Sequence, residues 1–542
     1  MSRLLHTRLI LSGELEAKTP IHIGGAEEGI EIDMPLAENG EGSYYIPGTS
    51  LAGTIRAWCV RVLSVEMKGF QDRMWGNLDD GASLFILEDS VPKLPDDVTP
   101  EIWHGIAIDR YSGTAVPRMK FDKQVLPAGT GFPLTIKLDV IQEKDLELAR
   151  ALLWLIRNAF EKGQIPIGSG STRGLGNVYL RKDSFCREED WGSRVGILNI
   201  LKQRVPAEAS EYISPDITGK WEDSAKSCLP SFTPNLLRFD IQWKPLGPLM
   251  SKSPEEGLDV DILPLMSAKG PGSTRHLVLP GSSIKGVFRS HCERILRTLL
   301  QPDNPENDQS PMESTPEKHN QNINLPLIRE LFGIARSDKK DDERNGKNNG
   351  QGMKGALHVL SCYSKSSFEK NHDFSQSQIN ATDKLQKAFH NAVDRWTGGA
   401  AEGFLYSACE PFDFNWEPLS LTLDVDFFRK RSEDISPLVP FALIWLLIRD
   451  LTAGYIPIGF GFNRGYGHIE VERLEIHGIG SLLQSESADP ITIEVKKNVA
   501  GTRMPDSLQL KDLLEMAEKE WSIWIERTLL ESPSQPGAEV LR

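Results

Sequence analysis

Glu27-Glu28-Gly29-Ile30-Glu31-Ile32-Asp33 is answered later in the chain by Glu255-Glu256-Gly257-Leu258-Asp259-Val260-Asp261. Each copy leads into a second recurring stretch. Ile46-Pro47-Gly48-Thr49-Ser50-Leu51-Ala52-Gly53 matches Leu279-Pro280-Gly281-Ser282-Ser283-Ile284-Lys285-Gly286. Self-similarity at this scale marks a repeated structural unit and outranks local propensity in deciding the fold. It also places one carboxylate, Asp33 and Asp261, at the same point of two units.

Working outward, the first unit opens on Arg8–Ala17, whose alternation predicts a strand. In the acidic segment, alternation sets Glu31 and Asp33 on one face and Ile30 and Ile32 on the other. Pro47–Ser50 forms a helix-capping turn and Leu51–Glu66 the helix, with a further strand at Leu84–Glu88. Asp109–Gly113 opens a long arm through Val116–Gly131. Phe132–Val140 reads as a strand, Leu146–Phe160 as an amphipathic helix, and Gly168–Gly176 as a glycine loop before a strand at Asn177–Leu180. The second unit repeats the order: Leu237–Trp243, Pro254–Asp261, Ile284–Leu299, Asp394–Gly398, Leu419–Val425, Pro437–Leu451 and Gly459–Gly467. Offsets grow along the chain, so the second copy holds insertions, with Gln301–Asn322 and Arg336–Gln351 the polar candidates. The resulting division is 1–190, a linker at 191–234, 235–480, and a C-terminal extension at 481–542 with a helix at Leu508–Leu530.

Strands interleaved with two helices per unit give an α+β class, two tandem ferredoxin-like domains. The length of 542 residues suggests about three or four domains. A hydrophobic share of 39% and a charged share of 25% are those of a water-soluble globular chain. Met1–Gly13 carries charges throughout and reads as no leader. The apolar run Phe441–Ile448 is too short to span a bilayer. Six scattered cysteines with no CxxC pair argue against a zinc site and for a reducing, cytoplasmic setting. The formal net charge of −15 argues against a chain that binds nucleic acid on its own, though less against binding within an assembly.

The ordered series resembles the RAMP superfamily of CRISPR effector proteins, in particular the backbone subunit of type III complexes. The residues that carry the resemblance are Gly24-Gly25 with Asp33, Ile46–Arg56, Asp109-Arg110 and Gly168–Gly176. In the second unit they are Asp261, Leu279–Gly286 with Arg289, Asp394-Arg395 and Gly459–Gly467. The second unit reads Leu246-Gly247-Pro248-Leu249-Met250 where the Gly-Gly pair is expected. Two fused units look like the subunits of type III-D effectors. The resemblance implies an RRM-like core with a β-hairpin thumb, stacking along a CRISPR RNA with other effector subunits. It also implies a divalent metal, Mg by expectation, and cleavage of single-stranded target RNA beside each thumb, with Asp33 and Asp261 as catalytic and metal-holding groups.

The residues agree with that chemistry. RNA supplies its own 2′-OH nucleophile, and one carboxylate with phosphate oxygens can hold Mg. Arg56 and Arg289, at equal positions after the Pro-Gly turn, and Arg173 and Arg464, inside glycine loops, are expected to contact RNA phosphate. The loops follow a helix and precede a strand, the reverse of a dinucleotide fingerprint. Arg118, Lys120 and Lys123 on the arm are further RNA contacts; the matching stretch Gly403–Phe414 is acidic and aromatic. Asp259 competes with Asp261, Glu28 and Glu256 read as solvated surface, and His22 as structural although near the first site. Asp109-Arg110 and Asp394-Arg395 are equally an intrachain or intersubunit pair or an RNA contact. Two alternatives stand beside cleavage: a non-catalytic guide-RNA scaffold, and a metal-free endonuclease that processes precursor RNA.

Overall fold

The protein is described by a computed structural model covering residues 5–25, 32–63, 67–76, 81–94, 99–109, 114–203, 217–229, 235–269, 274–300, 325–334, 352–369, 372–483, 490–498, 501–503 and 508–531. Glu28, Glu31, Arg110 and the two polar insertions lie outside the described residues.

Thr7–Ala17 is the central strand of the first sheet. It runs antiparallel to Gly131–Val140 on one side and to Val178–Leu180 and Phe185–Asp190 on the other, with Phe85–Leu87 beyond Gly131–Val140. Alternation explains the buried face: Leu9, Leu11, Leu15 and Ala17 meet Phe132, Leu134, Ile136, Leu138 and Val140 in one core. Helix Leu146–Glu161 closes it with Ala149, Leu152, Leu153, Ile156 and Phe160, a stripe at helical spacing. The second sheet has the same order. Leu236–Pro245 is flanked by Leu419–Asp424 and Ile469–His477, with Leu357–Val359 outside. Helices Gly281–Leu300 and Leu438–Thr452 bury Phe288, Phe441, Leu447 and Leu451 against it. Both units are therefore α+β, ferredoxin-like domains in tandem, with the strand order second-third-first-fourth.

The remaining segments are integrated rather than appended. Residues 191–234, read as a linker, contain helices Arg194–Gln203 and Thr218–Cys228. The second inserts Trp221, fully buried, into the first core. In the C-terminal extension, Ile491–Glu494 adds a fifth strand to the second sheet. Helix Leu508–Glu531 buries Leu510, Leu513 and Ala517 in the second core. Among the described residues no helix is long and apolar enough to cross a membrane.

Each unit projects a hairpin, Glu101–Ile108 with Ala115–Val125 and Leu385–His390 with Tyr406–Pro411. Asp109 and Asp394 stand beyond the outgoing strands, so the first arm begins earlier than its sequence indicates. Gly105 interrupts the strand signal of residues 101–108. The Phe121 ring fills that gap, and a Cβ at Gly105 would lie 2.1 Å from it.

The two units meet through the first hairpin and the first glycine loop. Trp103, Val125 and Leu175 pack against Leu265, Val278 and Tyr363, while the Glu101 carboxylate accepts the Ala268 N–H at 2.7 Å. A Cβ on Gly281 would sit 2.7 Å from the Arg173 carbonyl oxygen and one on Gly174 2.5 Å from the Ser361 nitrogen, so glycine is demanded on both sides of the junction. Arg61 reaches across to Asp424 at 2.7 Å, and Asp424 also caps helix Val425–Arg431 by accepting the Phe427 N–H. Removing one member of a shielded ion pair leaves the other charge uncompensated. Arg61→Ala should therefore lower stability by roughly 3 kcal/mol, read as a shifted urea midpoint.

Candidate active site: two aspartates at two hairpins

The segment after each aspartate pairs with the return strand of its own hairpin. In the first unit Asp33 Oδ2 accepts the Asp122 N–H at 2.8 Å. Met34 N–H then donates to Asp122 O and Gln124 N–H to Met34 O, at 2.9 and 3.0 Å. In the second, Asp261 Oδ2 accepts the Ser407 N–H at 2.6 Å and the Ser407 hydroxyl at 2.9 Å. Ile262 N–H donates to Ser407 O at 3.0 Å and Cys409 N–H to Ile262 O at 2.9 Å. Bond for bond, Asp122 corresponds to Ser407. Asp261 is thus the structural counterpart of Asp33. Asp259 is engaged elsewhere: its Oδ2 accepts the Gln376 N–H at 3.0 Å. Both clamped aspartates remain exposed. The Ser407 N–H, with its hydroxyl, holds the Asp261 carboxyl below the usual carboxylate range.

The same bonds correct the placing of the Gly-Gly pair. Gly24 bridges Leu36 and Lys252 bridges Pro264. Ala37 N–H donates to Ile23 O, and Leu265 N–H to Ser251 O, both at 2.8 Å. Gly24-Gly25 therefore corresponds to Lys252-Ser253, not to Leu246–Met250. The loop keeps its path without the glycines because neither takes a left-handed φ. Met250 instead matches His22. His22 is buried, with Nδ1 2.7 Å from the Gln124 carbonyl oxygen, and burial lowers its pKa. That is a structural histidine, as expected.

The glycine loops superpose in their bonding. Gly168, Gly170, Gly174 and Gly176 all have φ between 74° and 83°, and Gly459, Gly461, Gly465 and Gly467 between 76° and 91°. Ser169 N–H donates to His22 O at 2.9 Å and Phe460 N–H to Met250 O at 2.8 Å, tying each loop to the strand-exit segment of its unit. Their arginines differ in surroundings. Arg464 lies over Tyr406 and Phe460, 5.5 and 5.3 Å from the ring centroids. Arg173 lies at the junction, where its charge bears on Lys123 and Lys285.

The other expected RNA contacts also separate. Arg56 is exposed and lines an open cleft with Lys68, Asp72 and Lys430. Arg289 is turned inward, donating to Glu293 at 2.9 Å and to the Gly333 carbonyl at 3.0 Å. Lys120 is exposed, whereas Lys123 is buried on the junction side of the same strand. Burial, helped by Arg173, lowers Lys123 to about 8. The Arg118 side chain lies outside the described residues, and Glu256 is exposed. Asp394 folds onto its own turn, accepting the Trp396 and Thr397 N–H groups. Lys285, Asp122, Ser407 and His104 were not singled out from sequence, because their roles depend on register and burial.

No group of three or more His, Cys, Asp or Glu among the described residues is arranged to hold a metal ion. The donor set fits the case in which one carboxylate and phosphate oxygens together hold a hydrated Mg ion.

Two ferredoxin-like units, each with a hairpin pinned by an exposed aspartate, define a class of tandem hairpin-bearing RRM-like proteins. The chain matches the RAMP superfamily over residues 14–179 and 269–470, more than half its length, and belongs to that superfamily. It is similar to the CRISPR system Cms endoribonuclease Csm3 of Methanocaldococcus jannaschii, 23% identical over 248 residues. The alignment covers 40% of this chain and 96% of that relative. One such relative is the size of a single unit.

Lys285 offers a pH test of the junction. It is buried, its Nζ donates to the Leu357 carbonyl at 2.7 Å, and burial with Arg173, Arg289 and Lys354 nearby lowers it to about 7. The folded value lies below that of the unfolded lysine, so stability is lost as pH falls from the ordinary lysine range toward 7. Measured by urea midpoints between about pH 10 and 7, Lys285→Met should lose less stability than the unmodified chain, with the difference flattening below 7.

Proposed function

We propose that this chain is a fused backbone subunit of a type III CRISPR effector, of the III-D kind. It holds CRISPR RNA together with other effector subunits and cuts complementary single-stranded target RNA at Asp33 and Asp261. The observation that carries the reading is the repeated clamp: each unit fixes an exposed carboxylate to the return strand of its hairpin through the same backbone bonds. RAMP membership and the endoribonuclease named among its relatives supply the substrate class.

In this reading the hairpins interrupt guide–target pairing and expose one kinked phosphodiester beside each aspartate. The 2′-hydroxyl attacks the neighbouring phosphorus in line, and the 5′-oxygen leaves. Asp33 and Asp261 would hold a divalent ion, Mg by preference, which when bound neutralises charge on the phosphate oxygens. Arg56, Lys120, Arg173 and Arg464, all exposed, supply phosphate contacts. The acidic net charge fits a subunit that binds RNA within an assembly rather than alone.

The test uses the complex assembled with its operon partners, a guide and a labelled target. Asp33→Ala should remove one cut and Asp261→Ala the other, each slowed roughly 100-fold or more, and chelation should stop both. Wild-type cutting by the double variant in an intact complex would leave a guide-holding scaffold.

A further inference from the structure

The first hairpin carries a titratable pair at the residue that clamps its aspartate; the His390–Glu410 pair of the second hairpin does not include its clamping residue, Ser407. His104 lies directly opposite Asp122 in the hairpin register, and its Nε2 is 3.1 Å from Asp122 Oδ1. Asp122 is the residue whose backbone N–H binds the Asp33 carboxylate. One residue thus touches both the aspartate, through its main chain, and the imidazole, through its side chain. The charged groups facing His104 are Asp122 and Lys120 on its own hairpin and Lys252 from the second unit. Lys252 belongs to the other unit, so the charge of the second unit reaches the first centre. Burial lowers the His104 pKa, Asp122 opposes that, and the two lysines reinforce it. The imidazole is therefore neutral and basic near neutral pH.

At the corresponding positions of the second hairpin Ser407 faces Phe389. Neither titrates near neutral pH, and Phe389 is exposed. His390, the nearest histidine, pairs with Tyr406 one position further along. It therefore points to the opposite face of the hairpin from Phe389, toward Glu410 and Tyr466.

We propose that His104, held by Asp122, is the proton acceptor for the attacking 2′-hydroxyl at the first centre, and that the two aspartate centres cut RNA by different acid–base means. This rests on the cleavage reading above. The balance is simple. The 2′-hydroxyl proton passes to His104 Nδ1, the ring nitrogen that does not face Asp122, while O2′ bonds to phosphorus. The P–O5′ bond breaks, and the departing 5′-oxygen takes a proton from water or from the imidazolium. The products are a 2′,3′-cyclic phosphate and a 5′-hydroxyl, with no change in oxidation state. Asp122 acts as a positioning residue: it fixes the imidazole and stabilises its charged form. Lys252 adds positive charge in the neighbourhood of the imidazole.

The two cuts are read separately in one assembled complex, so each serves as control for the other. The rate of the first cut should rise with pH through a single titration below the ordinary histidine value and then level. The second cut should lack that limb. His104→Gln should slow the first cut roughly 100-fold and erase its limb while the second cut keeps its rate, which also reports intact assembly. Asp122→Asn, which preserves the backbone N–H to Asp33, should give a smaller loss and shift the limb. Added imidazole should restore part of the first cut in His104→Gly, which a merely structural histidine would not allow. If Asp33→Ala abolishes the first cut but His104→Gln changes neither its rate nor its pH profile, the inference is overturned and the cleavage reading stands. If Asp33→Ala leaves the first cut intact, the cleavage reading itself falls.

Discussion

A few main-chain hydrogen bonds between the segment after each aspartate and the return strand of its hairpin hold each candidate site together. Met34 and Ile262 each give an N–H to, and take one from, the strand opposite. The carboxylate just before them caps the pairing by accepting the next N–H. A hairpin projecting from a sheet has unpaired edges and no core of its own, and two strands alone are marginal in water. Pinning it to the loop that carries the aspartate fixes both at once. Hairpin and carboxylate therefore cannot move independently.

The glycine loops serve the same end from the other side. Their four left-handed residues let the backbone turn tightly enough for Ser169 and Phe460 to bond the carbonyls of His22 and Met250, just before the aspartate loops. A Cβ at Gly168 or Gly459 would fall 2.3 or 2.5 Å from those same carbonyl oxygens. In the first unit the loop also docks on the second unit, where Gly174 and Gly281 permit backbone contact. Duplication has thus yielded unlike surroundings: Arg173 is exposed beside the junction, while Arg464 stacks on aromatic rings. The same divergence separates Asp122 with His104 from Ser407 with Phe389.

Much of this was legible in the chain itself. The paired acidic stretches, the Pro-Gly turns, the alternating strands and the glycine loops announce two α+β units in order, because each signal is local. Repetition singles out Asp33 and Asp261 as equivalent positions, and the resemblance to RAMP proteins matches the superfamily to which the chain belongs. Other features rest on contacts between distant residues. Trp221 fills the first core from a stretch that reads as polar connection. Arg289 turns inward to Glu293 although its counterpart Arg56 is exposed. Lys120 and Lys123 face opposite ways, since strand alternation and the hairpin's docking decide which is covered.

The amino-acid order by itself determined the duplication, the period of each element and the one carboxylate common to both units, since repetition and periodicity need no partner to be seen. The tertiary structure alone decided which residue lies opposite which on the hairpins, which of two aspartates in the second unit is clamped, and that His104 stands over Asp122. Register and burial are settled by pairing between segments many residues apart, where a shift of one position exchanges the two faces of a strand.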